Sequence, residues 1–174
     1  AGIDKETLVD NQKLLQAAKK KGYEIDTQTT WEQAFFQIFF NEIEMEFEKM
    51  RRPVILYDYP IQQAGLAKKK ESDPRFAERF EFFLAGLELG NCFSELTDPL
   101  EQEKRFKSEL EERKKLGKVA YSMDTDLINA LKSGLPKVSG IAVGVDRLVM
   151  LAADVPEISD TLFFPAAEMF DLWW

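Results

Sequence analysis

The fold is decided by residues 79–96, which read RFEFFLAGLELGNCFSEL. Two apolar runs flank Ala85-Gly86, a pattern typical of a β-hairpin with a tight connection. Carboxylates at Glu81, Glu88 and Glu95 interrupt the apolar pattern. A buried carboxylate is costly unless it is paired, bound to a metal or hydrogen-bonded. The hairpin is therefore predicted to carry candidate site residues as well as sheet structure.

The second strand of this hairpin alternates between two faces. Asn91, Phe93 and Glu95 share strand parity, so all three side chains should face one side. An amide, an aromatic ring and a carboxylate on one face suit an amine-bearing substrate, while a half-exposed strand with its acids in water is the alternative. Glu88 has the opposite parity, so a shared face requires a break near Gly90, such as a β-bulge.

A second informative stretch, residues 140–151, reads GIAVGVDRLVML. It predicts an apolar strand followed by a helix, with glycines that allow close approach of the backbone at the strand end. Arg147 lies at this junction, and its planar, permanently charged guanidinium suits a phosphate and stacking on a flat base. From these residues alone, a structural role for Asp146 and Arg147 is the alternative.

Together the two stretches resemble the lysyl branch of the class II aminoacyl-tRNA synthetases, over about Pro53 to Pro165. The resemblance implies an α+β fold in which an antiparallel sheet is flanked by helices, as a partial class II synthetase-like catalytic core. Residues 1–174 are then expected to form a single domain, the C-terminal portion of such a catalytic domain. The length suits one domain.

The nucleotide site follows from this resemblance. It implies that Glu81 and Glu88 hold Mg²⁺ on ATP, and that Arg147 meets the adenine and γ-phosphate as the catalytic arginine. ATP and Mg²⁺ are thus the implied cofactors. Magnesium prefers oxygen ligands and binds through one or two carboxylates plus substrate phosphates, which agrees with these roles.

The resemblance also implies an amino-acid pocket. Asn91 and Phe93 would line it, and Glu95 would receive the side-chain ammonium of lysine. Residues 56–67, LYDYPIQQAGLA, resemble the ligases that attach (R)-β-lysine to elongation factor P. Ala142 stands where those ligases usually carry alanine and the tRNA enzymes usually carry glycine. The implied function is ATP-dependent activation of lysine or (R)-β-lysine and its transfer to a lysine of elongation factor P.

Two alternatives remain open. The first is a fragment of a lysyl-tRNA synthetase catalytic domain, against which Ala142, Gln62 and Gln63 argue. The second is a truncated, non-catalytic relative that acts as a binding module, because the class II motif 2 arginine that contacts the α-phosphate is not found. Residues 75–78 read RFAE in a charged, turn-like stretch and are not taken as motif 2. We therefore expect this chain to be inactive alone. The sequence does not give the oligomeric state, and any oligomer would form through the missing N-terminal part.

Composition narrows the function classes further. The chain has 174 residues, a net charge of −8, one cysteine and no histidine. An acidic chain is a poor nucleic-acid binder, which makes tRNA the less favoured partner. One cysteine excludes an internal disulfide, and the lack of histidine excludes histidine catalysis. Without an evident signal peptide or membrane-length apolar run, we expect a cytoplasmic protein with no membrane association.

Periodicity and end signals predict the remaining elements. One amphipathic helix is predicted for residues 4–20, and a second, with an apolar stripe that packs in the core, follows a capping box at Thr30 and Gln33. The other predicted elements are a strand at 54–59, helices at 98–116 and 124–132, a strand at 139–145 and a helix at 146–153. The apolar end, residues 170–174, is expected to pack on the core or on a neighbouring chain.

Overall fold

The computed structural model describes residues 1–169, and the expected packing of residues 170–174 lies outside that range. The helices are α1 (Lys5–Val9), α2 (Asn11–Lys20), α3 (Trp31–Phe39), α4 (Met45–Glu48), α5 (Pro99–Lys115), α6 (Thr125–Lys132), α7 (Val145–Ala153) and α8 (Ala166–Met169). The strands are β1 (Val54–Pro60), β2 (Phe76–Leu84), β3 (Leu87–Ser94) and β4 (Ser139–Val143). A π-helical turn at Phe40–Glu44 joins α3 to α4, and short 3₁₀ turns occupy Ile61–Gln63 and Ile158–Thr161.

Within residues 1–169, the strands form one antiparallel sheet in the order β1-β2-β3-β4. Helices precede the sheet, separate β3 from β4 and follow β4. The predicted α+β fold with an antiparallel sheet flanked by helices is therefore confirmed. None of the helices described in this range has the length and apolar character that a membrane crossing requires.

The hairpin between β2 and β3 turns where the sequence predicts it. Ala85 and Gly86 both have positive φ, 51° and 80°, as the tight turns that suit the twist of a hairpin require. A Cβ on Gly86 would lie 2.5 Å from Cγ of Glu48, so a side chain at this position would meet helix α4. Glycine therefore suits this position for two reasons: it adopts a positive φ without strain, and it leaves room for Glu48.

A β-bulge interrupts the pairing of β2 with β3. Phe82 pairs with Gly90, whereas Phe83 pairs with Glu88, so Leu89 is the extra residue on β3. Because residues directly opposite each other share a face, the bulge places Glu88 on the same face as Phe83 and Glu81. The break predicted near Gly90 is therefore confirmed.

The helical layer packs on one end of this same sheet face. Phe83 of β2 is 2% exposed and belongs to the main core, with Val54 and Leu56 of β1 packed against it. The other buried members are Leu14, Ala18, Trp31, Ala34, Phe35, Ile38, Phe39 and Phe47. The core role predicted for the aromatic stripe is confirmed. Beyond the helices, the same face carries Glu81, Asn91 and Phe93.

Two predicted helices are interrupted. The helix predicted for residues 4–20 is split at Asp10, whose backbone is extended and whose carboxylate accepts from the backbone N–H of Lys13 at 2.9 Å. An aspartate that caps a new helix competes with continuation of the old one. The second helix begins with the predicted capping box of Thr30 and Gln33, but passes through the π turn before α4. Strand β4 ends at Val143, because Gly144 already serves as the N-cap of α7.

Candidate active site

The register of the sheet builds one row of site residues across three strands. Glu81 of β2 pairs with Asn91 of β3, which in turn pairs with Ala142 of β4. Two pairs along, and so on the same face, Phe93 of β3 lies opposite Gly140 of β4. Opposite residues share a face, so these side chains line a single surface beyond the helical layer.

Glu81 is the most buried charge on this surface, with 8% of the residue exposed. Its Oε2 accepts a hydrogen bond from the hydroxyl of Tyr59, and its Oε1 accepts from Arg79 Nη2 and, at 3.2 Å, from Asn91 Nδ2. Three donors from three positions satisfy most of the acceptor sites of this carboxylate, as a buried charge requires.

Tyr59 and Arg79 complete the surroundings of Glu81. Tyr59 is 5% exposed, and the centre of the Arg79 guanidinium lies 4.4 Å from its ring centroid. Burial raises the pKa of the Tyr59 phenol, and the hydrogen bond to Glu81 raises it further. The phenol therefore stays protonated and acts as a donor to the carboxylate near neutral pH.

A cluster of carboxylates lies where the helical layer meets the site. Burial raises the pKa of Glu44 at the end of the π turn, and repulsion from Glu88 and then Glu81 raises it further. These groups are therefore close enough for their charges to interact, and a bound cation would relieve their repulsion.

Glu81 and Glu88 fit Mg²⁺ in the presence of a phosphate ligand. Among residues 1–169, no group of three or more His, Cys, Asp or Glu side chains is placed to hold a metal. Mg²⁺ does not need such a group, because one or two carboxylates suffice when substrate phosphates supply the other oxygens. The bulge puts Glu81 and Glu88 on one face of the sheet, so the two carboxylates that Mg²⁺ would use lie on the same side.

Arg147 is fixed to the bulge from the other side. Its Nη1 donates to the backbone carbonyl of Glu88 at 2.7 Å, and the N–H of Gly144 donates to the carbonyl of Leu89 at 2.9 Å. The start of α7 is thereby tied to the residues that the bulge displaces. The exposed guanidinium keeps further donors for an anion beside Glu88.

Glu95 directly follows β3, and its carboxylate lies over Gly140, where any residue other than glycine would place a Cβ. Its backbone N–H donates to the carbonyl of Val138, and a Cβ on Gly140 would lie 2.8 Å from its Oε1. The carboxylate of Glu95 therefore occupies the space above Gly140, and Gly140 is the pairing partner of Phe93. A carboxylate here can accept hydrogen bonds from an ammonium group.

The structure thus brings the site residues suggested by the sequence to one surface, with Arg147 attached at its edge; their roles stay predictions. From the sequence, Arg75 or Arg79 would have to take the part of the motif 2 arginine if this chain did activate lysine, and no site role is assigned to Tyr59 or Glu44. Arg75 is exposed and donates to Asp73 and to Glu6.

Comparisons with known proteins identify the family of this chain. Residues 9–168 match the family model described as tRNA synthetases class II (D, K and N). The chain is 39% identical over 164 residues to a lysine–tRNA ligase of Staphylococcus haemolyticus, covering 94% of this chain and 32% of that protein. For the lysine–tRNA ligase of Listeria welshimeri the identity is 38% over 170 residues, covering 98% of this chain and 34% of the relative. A lysine–tRNA ligase of Chloroflexus aurantiacus is 37% identical over 164 residues, with 94% and 33% covered.

The chain spans about a third of the length of these relatives. The family match nevertheless covers both the hairpin and the β4–α7 junction that carry the site. The fold and the match together show that this chain belongs to the class II tRNA synthetases of the D, K and N group.

Proposed function

We propose that this chain supplies the lysine pocket and part of the Mg²⁺-ATP site of a lysine–tRNA ligase. The observation that carries the proposal is the placement of the Glu95 carboxylate above Gly140, on the surface formed by Asn91 and Phe93. The family and the relatives, each called a lysine–tRNA ligase, support lysine as the amino acid.

Each side chain has a distinct task in this proposal. Glu95 accepts hydrogen bonds from the side-chain ammonium of lysine. Asn91 contacts the amino-acid end of the same lysine, with its ammonium and carboxylate groups, and Phe93 packs on the methylenes between the two ends. Arg147 donates to the phosphates or stacks on the adenine of ATP. Bound Mg²⁺ would neutralise phosphate charge, held by Glu81 and Glu88 together with phosphate oxygens. Positioning and electrostatic stabilisation suffice for such chemistry, which needs no histidine.

Transfer of (R)-β-lysine to elongation factor P was the first expectation from the sequence, and the comparisons back the lysyl-tRNA alternative better. The side chains of Gln62 and Gln63, which argued against that alternative, form hydrogen bonds to the helical layer. Gln62 donates to the carbonyl of Val9, and Gln63 donates to Glu32, so both tie the 3₁₀ turn to the helical layer.

Ala142 is the observation that keeps β-lysine as a second candidate. It lies directly opposite Asn91, so its methyl group faces the proposed pocket. A change of one methylene or methyl group in a pocket alters discrimination by about 1–3 kcal/mol, or roughly 10- to 200-fold. Ala142→Gly should therefore improve binding of α-lysine relative to (R)-β-lysine by about tenfold. Equal dissociation constants for both isomers in the parent, unchanged in the variant, would remove the case for β-lysine.

Lysine binding itself is tested by calorimetry on this chain. Glu95→Gln should weaken lysine binding by about tenfold or more, because a neutral amide replaces one partner of a charge-assisted hydrogen bond. Glu111→Gln on the exposed surface of α5 makes the same chemical change away from the site and serves as the matched control. No lysine binding by the parent chain, or equal affinity in both variants, would contradict the proposed function.

ATP binding is tested separately. Arg147→Ala should weaken the binding of Mg²⁺-ATP, since a permanently charged donor next to the phosphates is lost. Arg113→Ala, at the end of α5, provides a control with the same loss of charge. If Mg²⁺-ATP binds and both variants retain parental affinity, the assignment of Arg147 to the nucleotide is wrong.

A further inference from the structure

Arg79 lies between Glu81, Asn91 and Tyr59 in the candidate site. Its side chain is 17% exposed and uses all three nitrogens as donors. Nη1 donates to the backbone carbonyl of Gln63, Nη2 donates to Glu81, and Nε donates to Oδ1 of Asn91 at 3.3 Å. The guanidinium plane is supported from one side by the ring of Tyr59. Such a group is held too firmly to act as a flexible surface charge.

The contacts of Arg79 fix the orientation of the Asn91 amide. Oδ1 of Asn91 accepts from Arg79, while Nδ2 donates to Glu81 at 3.2 Å. If the amide turned over, its NH₂ group would face the N–H of Arg79 and its oxygen would face the carboxylate of Glu81. Both new contacts would be repulsive, so the two charged neighbours allow one orientation.

The fixed amide has a defined recognition capacity. After these two bonds, Asn91 retains one acceptor position on Oδ1 and one N–H on Nδ2. A neighbouring acceptor and donor suit the ammonium and carboxylate groups of an amino acid. A freely rotating amide would present either group at random, so binding would carry an additional ordering cost.

We propose that Arg79 is a positioning residue for the amino-acid pocket: it bonds to the Asn91 amide directly and pairs with the Glu81 carboxylate, and so holds that amide in the orientation that receives lysine. This inference rests on the proposed lysine site. The role requires arginine in particular. The ammonium of a lysine is a point charge without a planar fork, and cannot serve Gln63, Glu81 and Asn91 in three directions while stacking on Tyr59.

The first test reads the Asn91 amide in the ligand-free chain by NMR. Arg79→Lys should shift the side-chain ¹⁵N and ¹H resonances of Asn91, because one of its two fixed bonds is lost. Arg75→Lys is the matched control, since Arg75 is exposed and bonds to Asp73 and Glu6. If the two variants leave the Asn91 resonances equally unchanged, the positioning role is overturned.

The second test measures lysine binding by calorimetry. Arg79→Lys should lower the affinity for lysine by about tenfold, the effect of losing one good hydrogen-bond contribution, whereas Arg75→Lys should match the parent. In Arg79→Ala, added ethylguanidinium should restore binding and added ethylammonium should not, because only the former reproduces the planar fork. Restoration by both cations equally, or parental affinity in Arg79→Lys, would overturn the proposal.

A third measurement needs no substitution and applies even if the variants fail to fold. Hε of Arg79 should exchange with water at least about tenfold more slowly than Hε of the exposed Arg51, because its bond to Asn91 is shielded. Equal exchange rates would contradict the proposal. If the parent chain binds no lysine while Asn91 still responds to Arg79→Lys, the proposed function fails and the amide contact stands on its own.

Discussion

Gly140→Ala tests whether the Glu95 carboxylate is held where an ammonium can reach it. The new Cβ would lie 2.8 Å from Glu95 Oε1, whereas ordinary contacts begin at 3.4 Å, so the carboxylate must withdraw by about 0.6 Å. A displacement of this size is enough to lengthen a charge-assisted hydrogen bond beyond its usual range. Hydrogen bonds to charged groups contribute about 1.5–3 kcal/mol, so lysine affinity should fall by roughly 10- to 150-fold.

Stability should change much less than affinity, because the atom that meets the new methyl group is the end of a flexible side chain. Calorimetry with lysine and thermal unfolding on the same samples would separate the two effects. Gly144→Ala is the matched control. It makes the same change on the same segment, and its nearest new contact, at 3.4 Å, is with the side chain of Arg147. Parental lysine affinity in Gly140→Ala, alongside weak binding in Glu95→Gln, would refute the reasoning.

Two further substitutions test the sheet and the carboxylate cluster. Gly90→Ala would place a Cβ 2.2 Å from Cε1 of Phe82. Overpacking of this kind costs about 1–3 kcal/mol, so the midpoint of thermal unfolding should fall by roughly 2–12 °C. An unchanged midpoint would contradict this prediction. Glu88→Gln should lower the raised pKa of Glu44, followed by ¹³C NMR, because one repelling charge is removed. Because the pKa of Glu44 is raised, the folded state loses stability as the pH rises from 4.5 through the folded pKa. This loss of stability should be smaller in Glu88→Gln. An unchanged titration of Glu44 in the variant would argue against the carboxylate cluster.

The elements that sequence predicts well are those with local signals. The hairpin turn, the capping box at Thr30 and the helix that begins after Asp98 all depend on residues within four positions of each other. The break near Gly90 was also predictable, since Glu88 has the wrong parity for a shared face. The interruption at Asp10 was missed because its cap competes with an otherwise continuous apolar pattern.

The parts of the site that sequence missed depend on pairing between distant strands. Tyr59 reaches Glu81 across a register shift between β1 and β2, where Asp58 of β1 has a φ of 59° and the extra residue lies on β2, and nothing in the local pattern signals this. Arg79 shares its face with Glu81, yet its bond to Asn91 needs the register of β3. Cys92 pairs with Phe80 and Ile141 on the opposite face, and so adds no side chain to the pocket.

The long connection before β4 has a consequence for how the site assembles. Residues 61–75 connect β1 to β2 and Ala85-Gly86 connects β2 to β3, whereas the longer segment 95–138 intervenes before β4. Closing this longer loop costs about 1 kcal/mol more than closing the β1–β2 connection. Helix α5 offsets some of this cost because it is anchored to the β1–β2 connection, where Arg105 donates to the carbonyls of Gly65 and Ala67.

The β4 half of the pocket is therefore expected to form last and open first, while the contacts around Glu81 persist. Gly140, Ala142 and, through α7, Arg147 all belong to that late half. A ligand that bridges both halves would slow hydrogen exchange in β4 more than in β2. Substitutions within residues 95–138 can thus weaken ligand binding without touching the ligand, by shifting the population in which β4 is docked.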